Sequence, residues 1–70
     1  MSDSVYRVTE VIGTSTVSWE DAAKNAVETA AKTLRDLRVG EVMKLDLTIE
    51  GGKVTNYRAR VSISFKYEAK

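Results

Sequence analysis

The residues of this chain that could do chemistry are carboxylates and basic side chains, because its 70 residues include no His and no Cys. Those two absences remove the commonest general base, the thiol nucleophile and the softer metal ligands. No glycine-rich phosphate loop and no serine with a plausible base partner takes their place. We therefore expect a protein that is not an enzyme, and we expect any bound metal to be a hard ion such as calcium.

Asp46 is the most interesting carboxylate, and two interpretations of it stay open. In an assembly of identical chains, one aspartate per chain becomes a ring of carboxylates around a nearby symmetry axis, which suits calcium and its roughly six to eight oxygen ligands. Alternatively, Asp46 forms a cross-strand ion pair with Arg58, which contributes at most about 1 kcal/mol when exposed. Glu50 is a poorer metal candidate because charges at hairpin ends are usually solvated, and Glu41 falls on the core side of its strand by parity.

Trp19 is the only tryptophan, and we expect it to close a gap between subunits, since amphipathic aromatic residues favour interfaces; a ligand contact is the alternative. Arg58, Arg60 and Lys66 form a basic row, which inter-subunit ion pairs or a bound anion such as phosphate would explain. A net charge of +1 is too balanced for nucleic acid, and no apolar run reaches the roughly 18 residues of a membrane span. We expect neither partner, and the absence of Cys is compatible with the cytoplasmic location that we expect.

Hydrophobic periodicity predicts three strands that must position these residues. Residues 57–67 alternate apolar and polar side chains without interruption, which predicts a long strand with one buried face. Residues 5–12 predict a first strand, and residues 41–50 predict a second strand. The first strand carries Tyr6, Val8 and Ile12 on one face, and the core side of the second carries Met43, Leu45, Leu47 and Ile49.

One alanine-rich helix is predicted between the first two strands, from Trp19 to Leu37, followed by a short connection over residues 38–40. Ser18 is its expected N-cap, with Asp21 three residues later as in a capping box. The small side chains of the apolar stripe allow the helix to lie close on a sheet.

The predicted hairpin has a three-residue loop, residues 51–53, because this loop length keeps apolar side chains together across the two strands. The resulting register pairs Leu47 with Tyr57, Leu45 with Ala59, Met43 with Val61 and Asp46 with Arg58. We predict an α+β fold with the order β-α-β-β, a three-stranded antiparallel sheet of order 1-3-2 and one helix against it. Residues 1–70 form a single domain.

Assembly is expected because so short a chain cannot cover so long a strand. A chain of 70 residues buries only about 60% of its unfolded surface, and no disulfide can compensate. Two sheet edges also stay open to partners. We therefore expect a homo-oligomer.

Several segments resemble the dodecin family: residues 5–8 and 12–15, residues 30–37, Glu41 with Val42, and residues 61–65. The resemblance covers nearly the whole chain. It implies a hollow homododecameric shell that binds a small ligand. Dodecins typically hold pairs of flavins (riboflavin or FMN) between subunits, with a tryptophan stacked on the isoalloxazine and a glutamine bonded to its polar edge.

This sequence departs from the family at both flavin positions. The family motif Leu-Asp-Trp-Phe-Glu-Val corresponds to residues 37–42, so Val39 replaces the stacking tryptophan, and Arg58 replaces the glutamine. Valine lacks the flat platform that contributes about 1 kcal/mol beyond its buried area. A tryptophan-less branch with Ser-Trp-Glu before the helix and an aspartate at Asp46 is similar to this chain and is associated with calcium. The resemblance thus favours calcium at inter-subunit sites, with flavin binding in an altered pocket and an inert structural shell as the alternatives.

Overall fold

The fold is built on a long hairpin whose second strand also pairs with the first strand of the chain. The computed structural model describes residues 5–66, and Tyr67, the last residue of the predicted third strand, lies outside them. In chain order, the elements are β1 (Tyr6–Ser15), α1 (Trp19–Ala30), β2 (Leu37–Glu50) and β3 (Lys53–Lys66). All strands pair antiparallel in the order β1-β3-β2. The predicted α+β fold and strand order are confirmed.

The start of α1 is also as predicted. Ser18 has an extended backbone, with φ −166° and ψ 165°, and its Oγ accepts a hydrogen bond from the N–H of Asp21 at 3.0 Å. This bond satisfies one of the amide donors that a helix leaves unpaired at its N-terminus. The buried face consists of Ala22, Ala26 and Ala30, whose spacing of four residues places them on one stripe. Within residues 5–66, no helix is long and apolar enough to cross a membrane.

The end of α1 differs from the prediction, because the helix stops at Ala30 and not at Leu37. Residues 31–33 form a turn, and Asp36 adopts a left-handed φ of 60°, which aspartate tolerates better than most residues. Leu37 then begins β2 opposite Phe65, where the sequence predicted helix and then a connection. Leu34 and Leu37 still pack against the core, so the periodicity identifies these residues correctly as partly buried. Pairing with β3 outweighs their helical propensity.

A register shift next to Val42 changes which side chains of β2 face the helix. Val61 lies opposite Val42, and not opposite Met43 as predicted. Beyond the shift, Glu41 lies opposite Ser62. The two neighbours of Ser62 on β3, Val61 and Ile63, are buried under α1, so Ser62 itself lies on the other face. Because paired residues share a face, Glu41 lies on the surface away from α1, and its predicted core-side placement is wrong.

The hairpin turn contains only Gly51 and Gly52, so the predicted three-residue loop is wrong. Both glycines have positive φ, 57° and 75°, as a tight two-residue turn requires. A bulge at Thr55 adds the residue that the turn lacks, and its hydroxyl oxygen lies 2.7 Å from that of Thr48. The bulge restores the predicted pairing beyond it, where Leu47 faces Tyr57, Leu45 faces Ala59, and Asp46 faces Arg58.

The helix is much shorter than the sheet on which it lies. The 12 residues of α1 span about 18 Å, whereas the 14 residues of β2 or β3 span about 45 Å. α1 packs on β1 and β3 and barely touches β2. The core is therefore small, with Ala22, Ala26, Ala30, Ala59, Val61 and Ile63 as its buried apolar residues. The radius of gyration, 14.6 Å, exceeds the roughly 11 Å expected for a compact chain of this length.

The apolar side of β2 is consequently left without cover. The side chains that the sequence placed on the core side of this strand are 38% to 64% exposed: Met43, Leu45, Leu47 and Ile49. Leu45 and Leu47 do lie on the face of the buried Ala59, as predicted, but the single chain does not bury them. On β1, Tyr6, Val8 and Ile12 share a face as predicted, and that face is exposed on the side away from α1.

We expect Gly13→Ala to destabilise the chain by about 3 kcal/mol, because overpacking at this position cannot relax. A Cβ on Gly13 would overlap the carbonyl oxygen of Ala22 and would lie 2.8 Å from the Cβ of Ala26. The matched control is Gly40→Ala, whose Cβ would meet Val61 and Val27 at 3.4 and 3.5 Å. Denaturant unfolding should show a large loss for the first variant and under about 1 kcal/mol for the control. Equal losses in the two variants would contradict the close approach of β1 and α1.

Candidate functional site

Asp46 and Arg58 form a two-point ion pair on the sheet surface away from α1. The Nε of Arg58 donates to Oδ1 of Asp46 at 2.7 Å, and its Nη2 donates to Oδ2 at 2.8 Å. This fork-to-fork geometry is the strongest arrangement available to an arginine and a carboxylate. The pair is open to solvent, since the Asp46 side chain is 53% exposed and that of Arg58 is 38% exposed. The cross-strand ion pair expected from the sequence is therefore present in the single chain.

The charges around Asp46 keep its carboxylate ionised. The hydrogen bond from Arg58 holds the pKa of Asp46 below its ordinary value of 3.8; desolvation opposes this shift, and the charges of Arg58 and Arg60 add to it. The same hydrogen bond raises the pKa of Arg58. Arg58 and Arg60 are therefore the two cations that act on this carboxylate. Asp46 has the charge that a metal ligand needs, but a cation must compete with Arg58 for it. Of the predicted basic row, Arg58 alone forms an ion pair within residues 5–66.

One chain does not assemble a metal site from the candidate carboxylates. Glu50 is exposed at the end of β2, four residues from Asp46, which corresponds to about 14 Å along a strand. That distance is too long for one ion to bind both side chains. Among the described residues, no three carboxylates come close enough together to hold a metal. A calcium site that uses Asp46 or Glu50 therefore needs more oxygen ligands than the described carboxylates bring together.

The two positions at which the resemblance implies flavin contacts are likewise separated within one chain. Val39 lies opposite Ser64 and Arg58 lies opposite Asp46, both on the surface away from α1. The six-residue separation of these positions on β3 corresponds to about 20 Å. Val39 is 60% exposed and offers apolar surface without a ring, and Arg58 is already bonded to Asp46. The two positions of one chain are therefore too far apart for a single isoalloxazine ring to contact both.

Trp19 has partners that the sequence did not suggest. Its indole Nε1 donates to the backbone carbonyl oxygen of Asp46 at 3.1 Å. Its ring lies edge-on to the ring of Tyr57, with 5.3 Å between centroids and 77° between planes. The contact with Asp46 has no signal in the sequence, because 27 positions separate the two residues and no periodicity relates them. Trp19 thus touches the residue at the centre of the candidate site.

An open groove runs beside Trp19, between the start of α1 and the uncovered side of β2. Its volume is about 500 Å³, and it is lined by Trp19, Glu20, Ala23, Val42 and Leu45. The lining is mostly apolar, which suits a side chain from another protein surface better than a charged ligand.

Comparison with known proteins places these features in a family. The family model described as Dodecin matches residues 5–68. A protein named calcium dodecin, from Mycobacterium tuberculosis, is 45% identical over 64 residues, which cover 90% of this chain and 89% of the relative.

Solved structures agree with this match. Dodecin from Streptomyces coelicolor has a TM-score of 0.92 and 40% identity, and each chain covers the other completely. The crystal structure of Mycobacterium tuberculosis calcium dodecin has a TM-score of 0.81 and 40% identity, with 94% of each chain covered. That protein is described as a calcium-chelating immunodominant antigen with a novel calcium-binding site.

We expect the carboxyl group of Asp46 to titrate below pH 3.8 in carbon-13 NMR, because Arg58 stabilises its charged form. A lowered folded-state pKa contributes stability above pH 3.8, and that stability is lost as the pH falls through the folded-state pKa. Arg58→Gln should move the midpoint of Asp46 upward towards 3.8. Lys53→Gln, which removes a charge at the far end of β3, serves as the control. An unchanged midpoint in Arg58→Gln would rule out this cause.

Proposed function

Since the chain belongs to the dodecin family, we propose that it forms a homododecameric shell that binds calcium at sites built where subunits meet. In this proposal the protein is a cytoplasmic binding protein and not an enzyme, and its partners are copies of itself. One observation carries the proposal. Asp46 presents an ionised, half-exposed carboxylate on the open face of a chain that is 45% identical to a calcium dodecin.

Support for assembly comes from the uncovered side of β2. Contiguous exposed apolar side chains on a small protein mark a surface that binds another protein. Leu45 and Leu47 lie on the same face as the buried Ala59, yet they are 50% and 38% exposed. A second copy of the chain would supply the missing cover.

Support for calcium comes from the chemistry of the ligands. Calcium takes about six to eight oxygen ligands, and among the described residues no three carboxylates lie close enough together to supply them. Copies of Asp46 around a symmetry axis would provide several carboxylates, and water would complete the coordination. Each chain also brings its own Arg58, which calcium must displace. Arg58 therefore limits the affinity of the site.

Calorimetric titration of the assembled protein with calcium tests the site. We expect Asp46→Asn to lose binding, because it removes the charged ligand. We expect Arg58→Gln to bind calcium about tenfold more tightly, because it removes the competing cation; tenfold corresponds to about 1.4 kcal/mol. Lys53→Gln is the control for a general loss of positive charge. Glu50→Gln shows whether the second candidate carboxylate takes part.

Two other results would overturn the calcium assignment, one from flavin binding and one from the variant Asp46→Ala. Tight binding of riboflavin or FMN with quenched flavin fluorescence, and no heat with calcium, would favour a flavin protein with an altered pocket at Val39 and Arg58. Unchanged cation content and unchanged assembly in Asp46→Ala would favour an inert structural shell.

We expect Leu45→Glu to block assembly, because it places a charge on the uncovered side of β2. Native mass spectrometry should show a particle of twelve 7.8 kDa subunits for the wild-type protein and smaller species for the variant. Val17→Glu puts the same charge on an exposed apolar residue outside that side and should leave the mass unchanged. A wild-type protein that remains a folded monomer at micromolar concentration would overturn the shell.

A further inference from the structure

Asp46 is held at two separate atoms by two different side chains. Its carboxylate accepts two hydrogen bonds from Arg58, at 2.7 and 2.8 Å. Its backbone carbonyl accepts the hydrogen bond of the Trp19 indole, at 3.1 Å. The side chain that neutralises Asp46 and the side chain that fixes its backbone are therefore distinct, and they can be altered independently.

The contacts of Trp19 close a ring around the site. Trp19 packs edge-on against Tyr57, and Tyr57 directly precedes Arg58 in β3. Contacts thus lead from Trp19 to Asp46, from Asp46 to Arg58, and through the chain to Tyr57, which returns to Trp19. Trp19 thus contacts both β2 and β3 next to the position where Asp46 pairs with Arg58.

The base of Trp19 is firmly fixed. The carboxylate of Asp21 accepts a hydrogen bond from the buried hydroxyl of Ser15 at 2.7 Å, and the Asn25 amide donates to the backbone carbonyl of Thr14 at 3.1 Å. Together with the Ser18 cap, these bonds tie the first turn of α1 to the end of β1. The indole therefore extends from a fixed point of the structure to an edge strand.

Apart from its pairing with β3, the edge strand has little support at this place. β2 lies at the edge of the sheet, and α1 barely touches it. Register shifts flank the ladder around Asp46, one next to Val42 and one next to Thr48. Bulges bend a strand and weaken its pairing locally, so a short segment between two of them needs an outside contact to hold its direction.

We propose that Trp19 is a positioning residue for the pair of Asp46 and Arg58. We further propose that the fluorescence of its indole changes when calcium replaces Arg58 at Asp46. The second part rests on the proposed function. Departure of Arg58 from Asp46 releases one side of the ring of contacts, which shifts the Asp46 carbonyl and the Tyr57 ring against the indole. Indole emission responds to its hydrogen bond and to nearby charge, and this chain contains a single tryptophan.

The first test measures Trp19 fluorescence without calcium. Asp46→Asn and Arg58→Gln should each change the emission maximum or intensity, although neither altered side chain is bonded to the indole. Lys53→Gln, which changes the charge at the hairpin end, should leave the spectrum unchanged. Spectra of Asp46→Asn and Arg58→Gln identical to that of the wild type would overturn the positioning role.

The second test uses calcium binding. Trp19→Phe keeps an aromatic ring near Tyr57 and removes the indole N–H, and it should weaken calcium binding about tenfold while the assembled mass stays the same. Tyr57→Phe keeps the ring that Trp19 contacts and should bind calcium like the wild type. The inference would be overturned if Trp19→Phe binds calcium with unchanged affinity and if calcium does not change the indole fluorescence of the wild type. That result would leave the calcium site intact. No calcium heat in the wild type, with altered emission in Asp46→Asn, would overturn the calcium site and support the positioning role.

Discussion

The mismatch in length between one short helix and three long strands is the constraint on which the rest of the structure depends. A helix of about 18 Å cannot shield a sheet of about 45 Å, and here it covers the side formed by β1 and β3. The buried core is accordingly small, and side chains of β2 such as Leu45 stay half exposed. Such exposed apolar side chains would destabilise an isolated domain. They suit a subunit of an assembly, since a neighbouring copy can cover the exposed side of β2.

The candidate site lies on the opposite surface of the sheet, away from α1. Among the described residues, no other element covers the side chains of Asp46 and Arg58 there, and both stay open to solvent. An exposed ion pair adds at most about 1 kcal/mol to stability. Its main effect is to hold one carboxylate charged and in a defined direction, and Trp19 does the same for the backbone of Asp46. These contacts therefore contribute more to the defined conformation of the site than to the stability of the chain.

The sequence predicts the elements whose signals are local and periodic. Alternation over residues 57–67 identifies the long third strand, and the chemistry of Ser18 identifies the start of the helix. The end of the helix was missed because Leu37 continues the helical spacing, while its actual partner, Phe65, is distant in sequence. No local signal opposed the helix strongly enough.

The pairing of Asp46 with Arg58 was predicted correctly from a wrong loop length. Two differences cancel here, since the turn is one residue shorter than expected and the bulge at Thr55 adds one residue to β3. Apolar matching across the strands fixed the register because burial acts on the final pairing and is insensitive to how the turn achieves it. The side on which Glu41 lies was predicted wrongly because the second irregularity, next to Val42, is not compensated in the same way. The contact of Trp19 with Asp46 has no sequence signature at all.

The bulges next to Val42 and Thr48 also bear on how such chains diverge. Because side chains alternate between the two faces of a strand, gain or loss of one residue at a bulge transfers every following side chain to the opposite face. Near Val42, such a transfer would move acidic Glu41 to the opposite face of the sheet and put its apolar neighbour in its place, without any substitution. Single-codon insertions and deletions can therefore rewrite the chemistry of a whole surface in one step, while the fold is preserved. Relatives of this topology are best aligned through their bulges, because an alignment that ignores them compares residues on opposite faces.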